Sequence, residues 1–270
     1  MIKKIYLSLI LILSIQSVSA DQFSYSTEEL IHRYYHNPTG LFFGSASVAF
    51  TNDIYAIETN PAGLTEIQYK IKKQKPKEDS LTDFSEDDPE GSIYQLGIST
   101  VIIDKQLQSS FLGIAFNAFN GFIGISIHEI SNRTITEDLP KNDSADELFS
   151  AYKSALTYAW SKKVLSLGFT VRYYYGEIEK KDFSGFGGDL GMHLSLLPFL
   201  KFGAAVMNMA TVYYPIENQN VQMGDRGIIY PTIKCGFNIH IPHPAISFAT
   251  GISKNIEDNT VGYGAGIEYN

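Results

Sequence analysis

LSLGFTVRYYYG, residues 165–176, decides the fold of this chain because apolar and polar side chains alternate along it. The apolar face would carry Leu165, Leu167, Phe169, Val171, Tyr173 and Tyr175. The opposite face would carry Ser166, Gly168, Thr170, Arg172, Tyr174 and Gly176. A period of two residues is that of a β-strand with one apolar side. The stretch therefore predicts a strand whose two faces meet different surroundings.

The same alternation recurs on both sides of this stretch. The clear copies are residues 190–196, 233–241 and 261–269, and the weaker copies are 67–71, 94–102, 112–119, 123–130, 154–160, 200–207 and 246–252. Asn120-Gly121 predicts a hairpin turn, and the long polar loops are residues 72–91, 131–147 and 217–225. Together these patterns predict about eleven strands with short turns on one side and long loops on the other, as in outer-membrane barrels.

The polar stripe indicates which face of the strands is wet. It consists mostly of Gly, Ser, Thr and Asn, and its charged members include Arg172, Asp189, His193 and Lys234. A soluble protein would normally carry Lys and Glu on its outer face rather than glycine. Lipid outside and a polar lumen inside explain both stripes, so we expect an all-β fold, a transmembrane antiparallel β-barrel.

The N-terminus predicts export. Lys3 and Lys4 precede an apolar run over residues 5–15, and Val18-Ser19-Ala20 resembles a cleavage site. The run is shorter than the roughly 20 residues of a membrane-spanning helix, so residues 1–20 are predicted to be a cleaved signal peptide. Cys235 is the only cysteine and excludes a disulfide framework. The predicted location is the outer membrane, with membrane lipid as a partner.

Composition and motifs argue against two classes of function. The chain of 270 residues has 21 Lys and Arg against 29 Asp and Glu, a net charge of −8 that disfavours nucleic acid as a partner. No phosphate-binding loop, nucleophile elbow or zinc motif is present, so neither an enzyme nor a cofactor is expected. His32 and His36 have metal-ligand spacing on a helix, but the sequence offers no third ligand and we predict no metal site.

The stretch GSASVAFTNDIYAIETNPAGL, residues 44–64, resembles the N-terminal signature of the FadL/PorV superfamily of outer-membrane β-barrel proteins. Residues 154–209 follow the same order of strands through SALTYAW, VLSLGFTVRYYYGEI, GFGGDLGMHLSL and LKFGAAVMNM. The branch that this order resembles contains PorV/PorQ-like proteins and uncharacterised spirochaete relatives. The resemblance implies fourteen strands whereas the alternation gives about eleven, so we expect a barrel of about 11–14 strands, possibly incomplete. Either one strand escapes the pattern, the barrel is smaller, or the chain is a shortened copy. Residues 21–64 show no clean strand pattern but carry seven aromatic residues from Phe23 to Phe50, so they are predicted to form a plug or hatch, with a disordered leader as the alternative, and residues 65–270 to form the barrel.

By this resemblance the function would be passive uptake of hydrophobic small molecules such as long-chain fatty acids. The apolar side chains of the plug, Phe42, Phe43, Val48 and Phe50, would then contact the ligand. One alternative is a PorV-like secretion or surface-assembly component that engages exported proteins. Another is a shortened structural paralogue without transport activity.

Two sets of residues are the candidate sites. Asn60, Pro61, Ala62 and Gly63 specify a tight bend, which either joins the plug to the first strand or lets plug residues move. Asp189 and His193 share one face of a predicted strand, with Arg172 on the strand before it. These side chains would serve either acid/base or anion-binding chemistry or ordinary salt bridging inside the lumen.

Overall fold

The computed structural model describes residues 43–67, 94–103, 107–132, 150–178, 181–216, 227–242, 245–257 and 259–269. The predicted signal peptide, the first half of the predicted plug (residues 21–42, with His32 and His36) and nearly all of the three long polar loops lie outside these residues. Among the described residues, no helix is long and apolar enough to cross a membrane.

An antiparallel sheet of eleven strands makes up most of the described chain, which confirms the all-β prediction. The strands are β1 (Tyr94–Ile103), β2 (Leu107–Ala118), β3 (Gly121–Asn132), β4 (Ser150–Lys162), β5 (Leu165–Ile178), β6 (Lys181–Leu197), β7 (Leu200–Ile216), β8 (Gly227–Ile229), β9 (Thr232–Pro242), β10 (Ala245–Asn255) and β11 (Val261–Tyr269). Neighbours in sequence are neighbours in the sheet, except that β8 pairs only with the end of β7 and β9 follows β7 in the order. Among the described pairings, β1 and β11 stand at the two ends.

Tight turns join consecutive strands where the sequence predicts them. Between β2 and β3 the turn residues are Phe119 and Asn120, with φ of 52° and 59°, one position earlier than the predicted Asn-Gly turn. Ala118 pairs with Gly121 across this turn, and a two-residue loop with both φ angles positive matches the twist of the flanking strands. Lys163, with φ of 56°, begins the turn between β4 and β5.

A run of short helices precedes the sheet, and residues 43–67 are called the helical segment below. It contains a 3-10 turn (Gly44–Ala46), α1 (Ser47–Phe50), α2 (Ala56–Thr59) and a second 3-10 helix (Pro61–Glu66). Most of its residues are buried. Ile67, which the alternation pattern puts at the start of a first strand, instead ends this segment and is buried at 4% exposure.

The two faces of the sheet differ in polarity as the alternation predicts. On β5, Val171 is 53% exposed whereas its neighbour Arg172 is 2% exposed. The apolar face points outward, with large exposed side chains on every strand from β1 to β11. The face of Gly, Ala, Ser, Thr and buried charges is covered by the helical segment. The sheet therefore buries its polar face and exposes its apolar one.

Candidate functional site between the helical segment and the sheet

Four glycines in register form a track across the inner face of the sheet. Gly203, Gly236, Gly251 and Gly264 pair directly across β7, β9, β10 and β11. A Cβ on Gly203 would overlap the backbone of Val48, and one on Gly251 would overlap the backbone of Ser45. We call these four residues the glycine track. Because they lack side chains, the backbone of residues 43–49 lies directly on the sheet.

The helical segment carries small side chains where it contacts the glycine track. Ser45, Ala46, Ser47 and Ala49 are all buried, and Ser45 Oγ lies 2.8 Å from Ser253 Oγ of β10. Small side chains on one surface and glycine on the other give a close backbone approach from both sides. This complementarity explains why the small residues at the start of the 44–64 stretch accompany glycine-rich inner faces later in the chain.

Asn60 is the side chain that fixes the predicted bend. Its Nδ2 donates hydrogen bonds to the carbonyl of Val48 at 2.7 Å and to that of Met192 in β6 at 3.1 Å. Its Oδ1 accepts from the N–H of Ala62 at 3.2 Å and so caps the 3-10 helix that Pro61 opens. A Cβ on Gly168 would overlap the backbone of Pro61. The Asn-Pro-Ala-Gly sequence thus forms the start of a 3-10 helix that is hydrogen-bonded to β6, rather than a simple turn into a strand.

Replacing Asn60 with Ala should destabilise the docked segment by about 1–3 kcal/mol, because the Met192 carbonyl and the Ala62 N–H lose a buried partner. The measurement is the free energy of unfolding from urea titration of the full chain in detergent. Asn52→Ala, a half-buried position in the same segment, is the matched control and should change the value by no more than about 0.5 kcal/mol. Equal effects of the two variants would contradict the role given to Asn60.

A buried charge cluster holds α2 against the sheet. Glu58 of α2 accepts hydrogen bonds from Arg172 Nη1 of β5, at 3.2 Å to Oε1 and 3.3 Å to Oε2. Its carboxylate also pairs with Lys153 Nζ of β4, and His128 Nδ1 of β3 lies 3.7 Å from Oε2. Arg172 Nη2 donates to the Ile57 carbonyl at 2.8 Å. Three adjacent strands therefore each direct one basic side chain at a single carboxylate of the helical segment.

Asp189 of β6 completes this charge cluster. It binds Arg172 through Nε and Nη2, and its Oδ1 accepts the backbone N–H of Asn208 at 2.8 Å. Asn208 and Ala210 of β7 have φ of 58° and 53°, and the β6–β7 register shifts beside them. The left-handed conformation costs energy for a residue with a side chain. At Asn208 the hydrogen bond from its N–H to the carboxylate of Asp189 offsets part of this energy.

Opposing influences act on the pKa of the Glu58 carboxyl. Burial by itself would raise the pKa, but the charges of Lys153 and Arg172 and a hydrogen bond from His128 hold it well below the usual 4.5. The carboxylate is therefore ionised in the docked segment, and a depressed pKa means that ionisation stabilises the folded state.

The stability that Glu58 contributes should be fully present above pH 4.5, its usual pKa, and should disappear as the pH falls through the lower folded value. Urea unfolding of the full chain at a series of pH values measures this. Between neutral pH and pH 4.5 the Glu58 contribution should stay constant, and below that the parent should lose more stability than Glu58→Gln does. Parallel pH profiles for the two proteins would contradict the prediction.

His193 and Lys234 lie on the inner face as predicted but take no part in the ion pairs of the charge cluster. His193 Nε2 donates to the Val48 carbonyl at 2.8 Å, and Nδ1 lies 3.9 Å from Glu66 Oε1. Glu66 in turn pairs with Lys201 Nζ at 2.9 Å. Lys234 belongs to the inner face of β9 and forms none of the ion pairs found among the described residues. Of the four predicted lumen residues, the structure thus brings only Arg172 and Asp189 into contact.

The predicted ligand-contacting side chains have different surroundings. Val48 is fully buried against Ala205 and Met207 of β7. Phe50 is 7% exposed and stacks on the half-buried Phe43, with ring centroids 4.2 Å apart. Phe42 lies outside the described residues. Val48 therefore has no surface open to solvent while the helical segment lies on the sheet.

Glu58, His128 and Lys153 are functional candidates that the sequence reasoning missed. His128 and Lys153 occupy inner positions of strands whose alternation is weak, so the pattern does not predict which face of the sheet either side chain occupies. The signal that would have found them is a charged side chain in phase with Gly, Ser and Ala, as in the inner row of β4. Glu58 carries no comparable signal because it lies on a single helical turn.

No group of three or more His, Cys, Asp or Glu side chains is placed to hold a metal ion among the residues that the structure describes. No protein-family model matches this sequence, and no curated protein matches it.

Proposed function

We propose that this chain is an outer-membrane β-barrel protein of the FadL/PorV type, with its helical segment as a plug across the lumen. The observation that carries the proposal is the inverted polarity of the sheet. Arginine is almost never fully buried unless it is paired, and large exposed apolar surfaces mark contact with another apolar phase. A polar, charged inner face and an apolar outer face on every strand fit a wall with lipid outside.

The strand count supports closure into a barrel. Eleven strands form the described sheet and β8 lies off the path, so ten strands lead from β1 to β11. An even number makes β1 and β11 antiparallel, the arrangement in which single-chain bacterial barrels close. Phe43 contacts Gly266 of β11 and Ile54 contacts Gly97 of β1. That one short segment touches both end strands supports a sheet that curls around it.

An apolar groove across the outer face also fits a lipid-facing wall. It encloses about 710 Å³ and crosses five strands, β4, β5, β6, β7 and β9. Two rows of side chains that pair across these strands form its sides. One row is Trp160, Leu167, Met192, Ala204 and Cys235, and the other is Tyr158, Phe169, Leu190, Val206 and Ile233. Its floor is the backbone of Gly168, Gly191 and Ala205, whose small or absent side chains also admit the helical segment on the inside. Hydrocarbon is the chemistry that such a lining accepts.

The activity that we propose is passive uptake of hydrophobic small molecules such as long-chain fatty acids, with the helical segment moving to open the path. The test compares cells with and without the gene for uptake of radiolabelled dodecanoate and dodecanol, alongside binding of both to the purified protein. Uptake that depends on the protein is the expected result. If deletion changes neither uptake and the protein binds neither compound, the transport proposal is wrong.

A structural envelope protein without transport is the second candidate. The close fit of residues 43–49 in the glycine track favours it, because a packed interface without side chains on one side resists opening. The same uptake comparison separates the two functions. The PorV-like secretion function depends on the long loops, which lie outside the described residues, and stays a prediction.

A further inference from the structure

One short turn of the sheet carries two lysines beside the apolar groove. Lys162 ends β4 and Lys163 follows it in the turn to β5, and both side chains are exposed. The other short turns that the structure describes on this side, Phe119-Asn120 and Pro198-Phe199, carry no charge. Since the whole chain has a net charge of −8, this turn is a local reversal of sign.

Lys162 lies on the same face of β4 as the groove. Trp160, which lines the groove, is two residues before Lys162, and side chains two residues apart on a strand point to the same side. Tryptophan is enriched where membrane hydrocarbon meets the head groups, because its ring is apolar and its N–H is a donor. Trp160 therefore marks the end of the groove that lies closest to the head groups.

From this turn the groove descends into the middle of the sheet. Trp160 lies two residues before the end of β4, Ala204 four residues after the start of β7, and Cys235 seven residues before the end of β9. Four steps of about 4.8 Å between strands give a length of about 19 Å. Half of a hydrocarbon core is about 15 Å thick. The groove thus has the length and the slope to take one acyl chain that enters from the membrane surface.

We propose that the groove and the Lys162-Lys163 turn together bind an acidic phospholipid, with its phosphate at the two lysines and one acyl chain in the groove. Lysine attracts a phosphate as a point charge, and basic residues at a membrane surface favour anionic lipids. Short turns of bacterial barrels face the periplasm, so this lipid belongs to the periplasmic leaflet. The inference rests on the lipid-facing wall of the proposed function and is independent of uptake.

Fluorescence of Trp160 measures which lipid occupies the groove, because it is the only tryptophan of the chain. The full chain is reconstituted in phosphatidylcholine vesicles with an increasing fraction of phosphatidylglycerol or phosphatidylcholine that carries dibrominated acyl chains. Bromine quenches a tryptophan that it contacts. Brominated phosphatidylglycerol should bind beside Trp160 about 5- to 30-fold more tightly than brominated phosphatidylcholine, since each lysine near a membrane surface contributes roughly a factor of five.

Four variants separate the head-group contact from the chain contact. Lys162→Gln with Lys163→Gln should make the two lipids quench alike. Lys254→Gln removes an exposed lysine near the opposite end of the sheet and should keep the preference. Ala204→Phe fills the groove and should weaken the preference, because a head group at the lysines needs its chain in the groove. Ala265→Phe adds the same ring to the exposed face of β11, outside the groove, and should not.

Equal quenching by the two lipids in the parent, or a preference that survives the loss of both lysines, overturns the inference and leaves the lipid-facing wall standing. If neither brominated lipid quenches Trp160, the groove is closed to lipid and the inference is also wrong. A protein that is dimeric in detergent then has a second copy in the groove. A monomeric one contradicts the lipid-facing wall itself, and with it the proposed function.

Discussion

Arg172→Leu should lower the free energy of unfolding by about 3–5 kcal/mol, because it leaves Glu58 and Asp189 as buried carboxylates without their shared cation. Leucine fills much of the space, so the effect measures lost charge pairing more than a cavity. Urea unfolding of the full chain gives the total loss. A thiol at the buried position Ser47 reports on the helical segment, so maleimide labelling of Ser47→Cys in a Cys235→Ser background shows how much of the loss appears as release of that segment.

Two further proteins test this explanation of Arg172. Adding Glu58→Gln and Asp189→Asn to Arg172→Leu should recover part of the lost stability, since the unpaired charges are gone. Lys201→Leu breaks a pair with Glu66 whose side chains are 19% and 15% exposed, and it should cost less than Arg172→Leu because it removes the partner of one carboxylate rather than two. Equal losses from Arg172→Leu and Lys201→Leu would refute the special role of the buried guanidinium.

Gly203→Val should displace the helical segment from the inner face of the sheet. A Cβ at this position already overlaps the Val48 carbonyl, and the neighbouring atoms are backbone, so no side chain is free to turn away. Overpacking of this kind costs about 1–3 kcal/mol or more. The Ser47→Cys labelling rate should rise about 5- to 140-fold, since each 1.4 kcal/mol corresponds to a factor of ten.

Ala204→Val is the matched control for Gly203→Val. It adds side-chain bulk to the next residue of β7, but on the outer face, where Ala204 lines the apolar groove. Labelling of the Ser47→Cys thiol should stay near the parent rate. If Ala204→Val releases the segment as Gly203→Val does, general disturbance of β7 accounts for both and the glycine track has no separate role.

The strands and their faces are predictable from sequence because the backbone itself imposes the period of two. Residues 165–176 show this most clearly: every side chain assigned to the polar stripe of β5 is buried. Arg172 and Asp189 were recognised because both fall in phase with Gly and Thr on clearly alternating strands. Their pairing follows from the register of β5 against β6.

The partner of these charges was not predictable by the same reasoning. Glu58 meets Arg172 across 114 residues of sequence, and no period relates a single helical turn to a strand so far away. The Asn-Pro-Ala-Gly sequence identified a backbone feature, but its hydrogen bond to Met192 depends on where the sheet carries the segment. Local alternation therefore predicts the strands and their faces, whereas long-range packing determines which residues of the helical segment lie against the sheet.

The glycine track also has a consequence for the order in which the helical segment and the strands come together during folding. It is complete only when β7, β9, β10 and β11 have paired, and Ser45 meets Ser253 across 208 residues. Contacts over such separations form late because the intervening chain must first be ordered. We therefore expect residues 43–49 to dock last, once β11 has completed the surface that receives them.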